Sequence, residues 1–134
     1  MSRWRSGIPV YTQDDIMSEA ELLDFAMKIV NEYEIMKNDF ELIAANNNID
    51  AVPNFVVKKD NELCFFIVKA AIAPNMPTLD DLQKEQYKYH AAKFNAKCYF
   101  APVGFGSTDV ERFDAGLALR EDDYYTNYIG LKEL

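Results

Sequence analysis

Apolar residues are spaced along this chain in two ways, and the two spacings predict different elements. From Leu22 to Met36, Leu22, Leu23, Ala26, Ile29, Val30, Tyr33 and Met36 recur at steps of three and four, with Glu19, Asp24, Lys28, Glu32 and Lys37 outside the stripe. That spacing predicts an amphipathic helix. Ser18 with Glu21 three residues on is a capping-box start, and Asn38-Asp39 ends the helix. Three short apolar runs rich in Val, Ile and Phe follow, at Phe40–Ala45, Val52–Lys59 and Leu63–Ile72. They predict strands, the last two joined by a tight turn at Asp60-Asn61. The run Leu-Cys-Phe-Phe-Ile-Val is apolar on both faces, as in a strand at the centre of a covered sheet.

Pro74 and Pro77 then break the pattern. Thr78 with Asp81 opens a second, more polar helix to about Asn95, with Leu79, Leu82, Tyr87, Tyr89, Ala91, Ala92 and Phe94 as its apolar members. Cys98–Val103 is the next strand, and Gly104-Phe105-Gly106 is expected to turn the chain. A short helix is expected from Thr108 to Ala115, stopped by Gly116, then an edge strand at Leu117–Arg120. The order predicts a single α/β domain over residues 1–134: an N-terminal arm (1–15), a mixed-sheet αβββαβ core (17–103) with helices on both faces, and a C-terminal extension (104–134). Trp4 and Tyr11 are expected to pack the arm onto the body.

Length and charge narrow the function classes. At 134 residues and 49% hydrophobic, the chain can bury a core. The net charge of −8 excludes the basic footprint of a nucleic-acid binder. The charge is uneven, with net −6 over residues 1–57, +2 over 58–97 and −4 over 98–134. No apolar run approaches the length of a membrane span, and the basic N-terminus lacks the apolar core of a secretory signal. Cys64 and Cys98 lie in apolar segments without metal-ligand spacing, as buried thiols of a cytoplasmic protein would. A bridge between them requires neighbouring strands and a close Cβ approach. His90 has no fixed carboxylate or Cys partner, so it reads as structural. Tyr124, Tyr125 and Tyr128 beside Glu121-Asp122-Asp123 either face a protein partner or pack a strand onto the body.

With Pro53-Asn54 on the second strand, Ile67-Val68-Lys69 on the third and Gln83…Tyr87 on the next helix, the chain resembles the PD-(D/E)xK nuclease-like superfamily, the restriction-endonuclease-like fold. The resemblance covers about residues 17–103. It implies a site in which two carboxylates, at the positions of Asn54 and Ile67, would hold a divalent metal and Lys69 would help activate water. Here the lysine stands and both acids are replaced. The resemblance thus implies a relic site of Lys69, Gln83 and Tyr87, with Lys69 available to an anion. The expectation is a non-catalytic cytoplasmic interaction protein without a cofactor, whose acidic surface suits a basic protein partner, as in a toxin-neutralising or regulatory protein. The alternative is a Mg²⁺-dependent nuclease whose metal ligands have moved to Glu41, Asp50 and Asn54. A third class is a small-ligand binder or subunit of an assembly. Glu62, five residues before Ile67, is on the opposite face of its strand and too far away to take part.

Overall fold

The computed structural model describes residues 4–5, 8–9, 18–72, 76–107 and 124–134. Helix α1 (Glu19–Val30) starts where the capping box placed it: the Glu21 N–H donates to the Ser18 hydroxyl, and the Ser18 N–H donates back to the Glu21 carboxylate, both at 3.2 Å. It buries Leu22, Leu23, Ala26, Met27 and Val30. The stripe then departs from the sequence expectation, because Asn31–Ile35 forms a π-helical turn. A turn one residue longer puts Ile35, five after Val30, on the core side. Ile35 is buried, while Tyr33 and Met36, which an unbroken α-helix would have turned inward, are exposed.

The strands are β1 (Trp4–Arg5), β2 (Ile8–Pro9), β3 (Glu41–Ala45), β4 (Phe55–Lys59), β5 (Glu62–Ile72), β6 (Lys97–Ser107), β7 (Tyr124–Tyr128) and β8 (Lys132–Glu133), and helix α2 (Asp81–Ala92) connects β5 to β6. β1 and β2 form a small antiparallel ladder of their own. The main sheet runs β3-β4-β5-β6-β7. β3, β4 and β5 form an antiparallel meander, and β5 and β6 are parallel. β7 and β8 pair antiparallel with successive parts of β6, and Gly130 between them takes φ +98°. The β4–β5 hairpin closes through Asp60 and Asn61, both at positive φ, which the favoured two-residue hairpin turn requires. The result is a mixed α/β sheet with, among the described residues, one helix packed on each face.

β5 is the central strand, and Phe66, Ile67 and Val68 are wholly buried. Alternation divides its side chains between two cores. Cys64, Phe66 and Val68 pack under α1 with Val57, Ala101 and Phe105. Phe65 and Ile67 pack under α2 with Ala91 and Cys98. The α2 side is thinner: Ala91 is the one buried residue of the helix, and Leu82 and Tyr89 stay exposed. The two cysteines are free. Their strands are neighbours, but Cys98 pairs with Phe65, not with Cys64. One residue of offset puts the thiols on opposite faces, so the bridge that proximity of the strands would have allowed does not form.

Two expected boundaries move. The N-cap of α2 is Asp80, not Thr78. Gly104-Phe105-Gly106 does not turn but continues β6 through Ser107. Gly104 answers a close approach, since a Cβ there would stand 2.7 Å from Met76 Sδ. The expected short helix at Thr108–Ala115, the stop at Gly116, the strand at Leu117–Arg120, Tyr11 and the side chain of Trp4 lie outside what the structure describes.

Candidate functional site

The site implied by the resemblance centres on β5. Where the β4–β5 ladder ends, Asn54 takes over its hydrogen bonds. Its Oδ1 accepts from the Val68 N–H at 2.8 Å, and its Nδ2 donates to the Asn46 carbonyl at 3.2 Å. Its own N–H donates to the Phe66 carbonyl, and its carbonyl accepts from the Asn46 N–H. Asn54 is 2% exposed, the one buried polar side chain among the described residues. A buried amide is tolerated when it is satisfied in this way. It stitches the loop after β3 to β5 and is committed to that role. Ile67, at the other acid position, is fully enclosed under α2.

Lys69 follows on β5, half-buried, opposite Pro102 of β6. With Val68 it lines a cavity of about 200 Å³, closed by Glu19, Leu22 and Leu23 at the start of α1 and by Ile49 from the β3–β4 loop. Among the described residues no carboxylate is within ion-pairing distance of its ammonium.

The other sequence-derived candidates are dispersed. Glu41 pairs with Lys58, which pairs with Leu63, and Leu63 is six residues from Lys69 along β5. At the usual rise the two are separated by roughly 20 Å. Asp50 is exposed in the β3–β4 loop, its N–H bonded to Asn48 Oδ1. It is next to Ile49 but does not line the Lys69 cavity. Gln83 is the partner of Asp80 in a second capping box: its side-chain oxygen accepts from the Asp80 N–H at 3.1 Å, and Asp80 Oδ1 accepts from the Gln83 N–H at 2.7 Å. The glutamine that matched the superfamily pattern is thereby tied to the start of its own helix. Tyr87 packs onto the Phe65–Ile67 core, where burial, then the nearby charge of Asp80, raises its hydroxyl pKa above the ordinary value. Glu62 is at the far end of β5 in an exposed ion pair with Lys97 at 2.9 Å. His90 stacks between Phe65 and Phe94 as a packing residue. Among the described residues, no three His, Cys, Asp or Glu side chains are grouped to hold a metal ion.

Two placements escaped the sequence. Glu19 lines the hollow between the start of α1 and the Val68–Ala70 stretch of β5; the capping box put it in the first helical turn, but not against which strand that turn would rest. Tyr128 donates to Glu34 Oε1 at 2.7 Å across 94 residues and stands beside Tyr33. Burial, reinforced by this bond, drives its hydroxyl pKa far above the usual range. Of the two readings of the tyrosine tail, Tyr128 takes the packed one; the side chains of Tyr124 and Tyr125 lie outside the described residues.

Residues 20–134 match the model of a family described as a domain of unknown function, DUF8840. The chain belongs to this family. No curated protein and no solved structure matches it. Among the described residues no helix is long and apolar enough to cross a membrane.

Proposed function

We propose that this family member is a cytoplasmic binding protein without catalytic activity, built on a nuclease-like sheet whose metal-holding positions serve the fold. The observation that carries this reading is the state of those two positions. Asn54 has its backbone and side-chain groups bonded within the sheet, and Ile67 is sealed in the core. Neither offers an oxygen to a cation, and a hard divalent ion needs several. The acidic character of the chain, net −8, favours a basic protein partner over nucleic acid. Two buried, unbridged thiols accord with a reducing compartment.

The test is direct. Calorimetric titration of the intact protein with Mg²⁺ and Mn²⁺ should show no specific binding, and neither plasmid DNA nor RNA should be cut in their presence. Metal-dependent cleavage abolished by Lys69→Ala would overturn the reading in favour of a nuclease with relocated acids.

A further inference from the structure

Helix α2 rests on the sheet through its later turns, where Tyr87 and Ala91 meet the core of Phe65 and Ile67. Under its first two turns a cavity of about 560 Å³ opens toward β6 and β8, a size that holds small organic molecules. Its floor is apolar. Leu79, where the chain enters the helix, is 9% exposed, and Phe100 of β6 is 4% exposed. Around that floor lysines converge. Lys84 and Lys88 share one face of α2 with Asp81 and Glu85, at the three- and four-residue spacing of helical neighbours. Lys132 opposes Phe100 across the β6–β8 pair, and residues opposed in this way project from the same face of the sheet. Phe100 is two residues after Cys98, which packs under α2, so that face is the cavity's. Glu133 also lines the cavity, but it opposes Tyr99 of the α1-side core, and its charge acts there on Tyr99 and Lys97.

The charges at this cavity do not cancel. Glu85 is taken up by Lys88 at 3.8 Å. Asp81 is in the first turn of α2, where the positive end of the helix offsets it. Lys84 and Lys132 have no carboxylate within ion-pairing distance among the described residues. Two free ammonium groups thus border an apolar floor in a chain of net −8, and Lys84 belongs to the stretch, residues 58–97, whose net charge is positive. We propose that the cavity binds a small organic monoanion: a carboxylate carried on an apolar body, with the body on Leu79 and Phe100 and the carboxylate between Lys84 and Lys132. A single charge fits better than a phosphate dianion, which Asp81 and Glu85 would repel more strongly. The helix start is not the anion's place, because the Asp80 carboxylate already accepts from the Gln83 N–H there. Lysine stems are long and flexible enough for both heads to close on one carboxylate. This site is apart from Asn54 and Ile67 and does not depend on the binding reading above.

Titration of the isotope-labelled full chain with octanoate, followed by amide correlation spectra, tests the proposal. At low millimolar octanoate the amide shifts should concentrate at Leu79, Lys84, Phe100 and Lys132 and should saturate. Octanol, which has the apolar body without the charge, and inorganic phosphate, which has charge without the body, should each bind at least about tenfold more weakly. Lys84→Gln combined with Lys132→Gln, both at exposed positions, should keep the wild-type circular dichroism and weaken octanoate by about tenfold. Lys28→Gln combined with Lys93→Gln, the same loss of charge at exposed positions outside the cavity, should leave octanoate binding unchanged. The absence of a saturable shift, shifts scattered over the surface, octanol or phosphate binding as tightly as octanoate, or the two double variants behaving alike would each overturn the proposal.

Discussion

Asn54→Ala isolates the reasoning about the site most cleanly. The substitution strips the acceptor from the Val68 N–H and the donor from the Asn46 carbonyl in a place that is 2% exposed. A buried group left without its partner costs about 1–3 kcal/mol, and two groups are orphaned. Water can reach the Asn46 side, which is exposed, so the expected loss is about 2–4 kcal/mol in all. Urea unfolding followed by circular dichroism should show the midpoint falling by about 1–2 M at unchanged slope. Hydrogen exchange adds a local reading, because the Val68 amide should lose protection beyond the global change. Asn54→Asp is the informative companion, since it introduces the carboxylate that the superfamily pattern has at the corresponding position. The second oxygen of that carboxylate would face the Asn46 carbonyl with no proton between them. Burial and that contact should raise the new acid's folded-state pKa above about 4. A raised acid pKa costs stability as pH rises through the interval between the unfolded and folded values, so Asn54→Asp should be least harmful below pH about 4 and worse at neutral pH. A loss under about 0.5 kcal/mol for Asn54→Ala, with Val68 protection unchanged, would refute the view that Asn54 is a structural clamp.

Tyr128→Phe removes the bond to Glu34 and should cost about 1–2 kcal/mol in urea unfolding. With its folded-state pKa raised, first by burial, Tyr128 should make wild-type stability fall as pH rises above about 10, a slope that the Phe variant should reduce but not abolish, since Tyr87, Tyr99 and Cys98 are raised too. Gly104→Ala pushes a methyl group against Met76 Sδ, the flexible end of a side chain that can swing aside, and should cost about 1 kcal/mol or less, recovered in a double variant with Met76→Ala. The Cys98 thiol, pushed up to about 11 by burial, should resist alkylation at pH 8 in the native protein and react once urea unfolds it; fast native labelling, read by mass spectrometry, would contradict its placement.

The site is only partly legible in the sequence because a motif of spaced residues does not contain their bonding partners. Gln83 matched at the right distance after Lys69, yet a glutamine three residues after Asp80 is also a capping partner, and the helix start decided which it would be. Strand order alone leaves Glu41 a candidate ligand on the first of three strands. The register then put it at the opposite end of the sheet from Lys69, because β3 pairs with β4 and β4 with β5 through Lys58 and Leu63. A strand's length and order are local facts, but its register is a sum over two sets of neighbours.

What the sequence determined by itself was the set of elements whose cause is local. The capping box at Ser18, the turn at Asp60-Asn61, the doubly apolar run of β5 and the order of helices and strands over residues 18–107 each depend on residues a few positions apart, and each holds. What only the tertiary structure decided depends on residues far apart in the chain. The π-helical turn at Asn31–Ile35 brings Ile35 to the core and Glu34 to Tyr128. The one-residue offset between β5 and β6 keeps the two thiols apart. Asn54 became a clamp when the loop after β3 met β5, a contact that no spacing along the chain encodes. The physical reason is the same in each case: propensity and periodicity act within a turn or two of backbone, whereas hydrogen-bond satisfaction in a buried place is settled by whichever distant group arrives there.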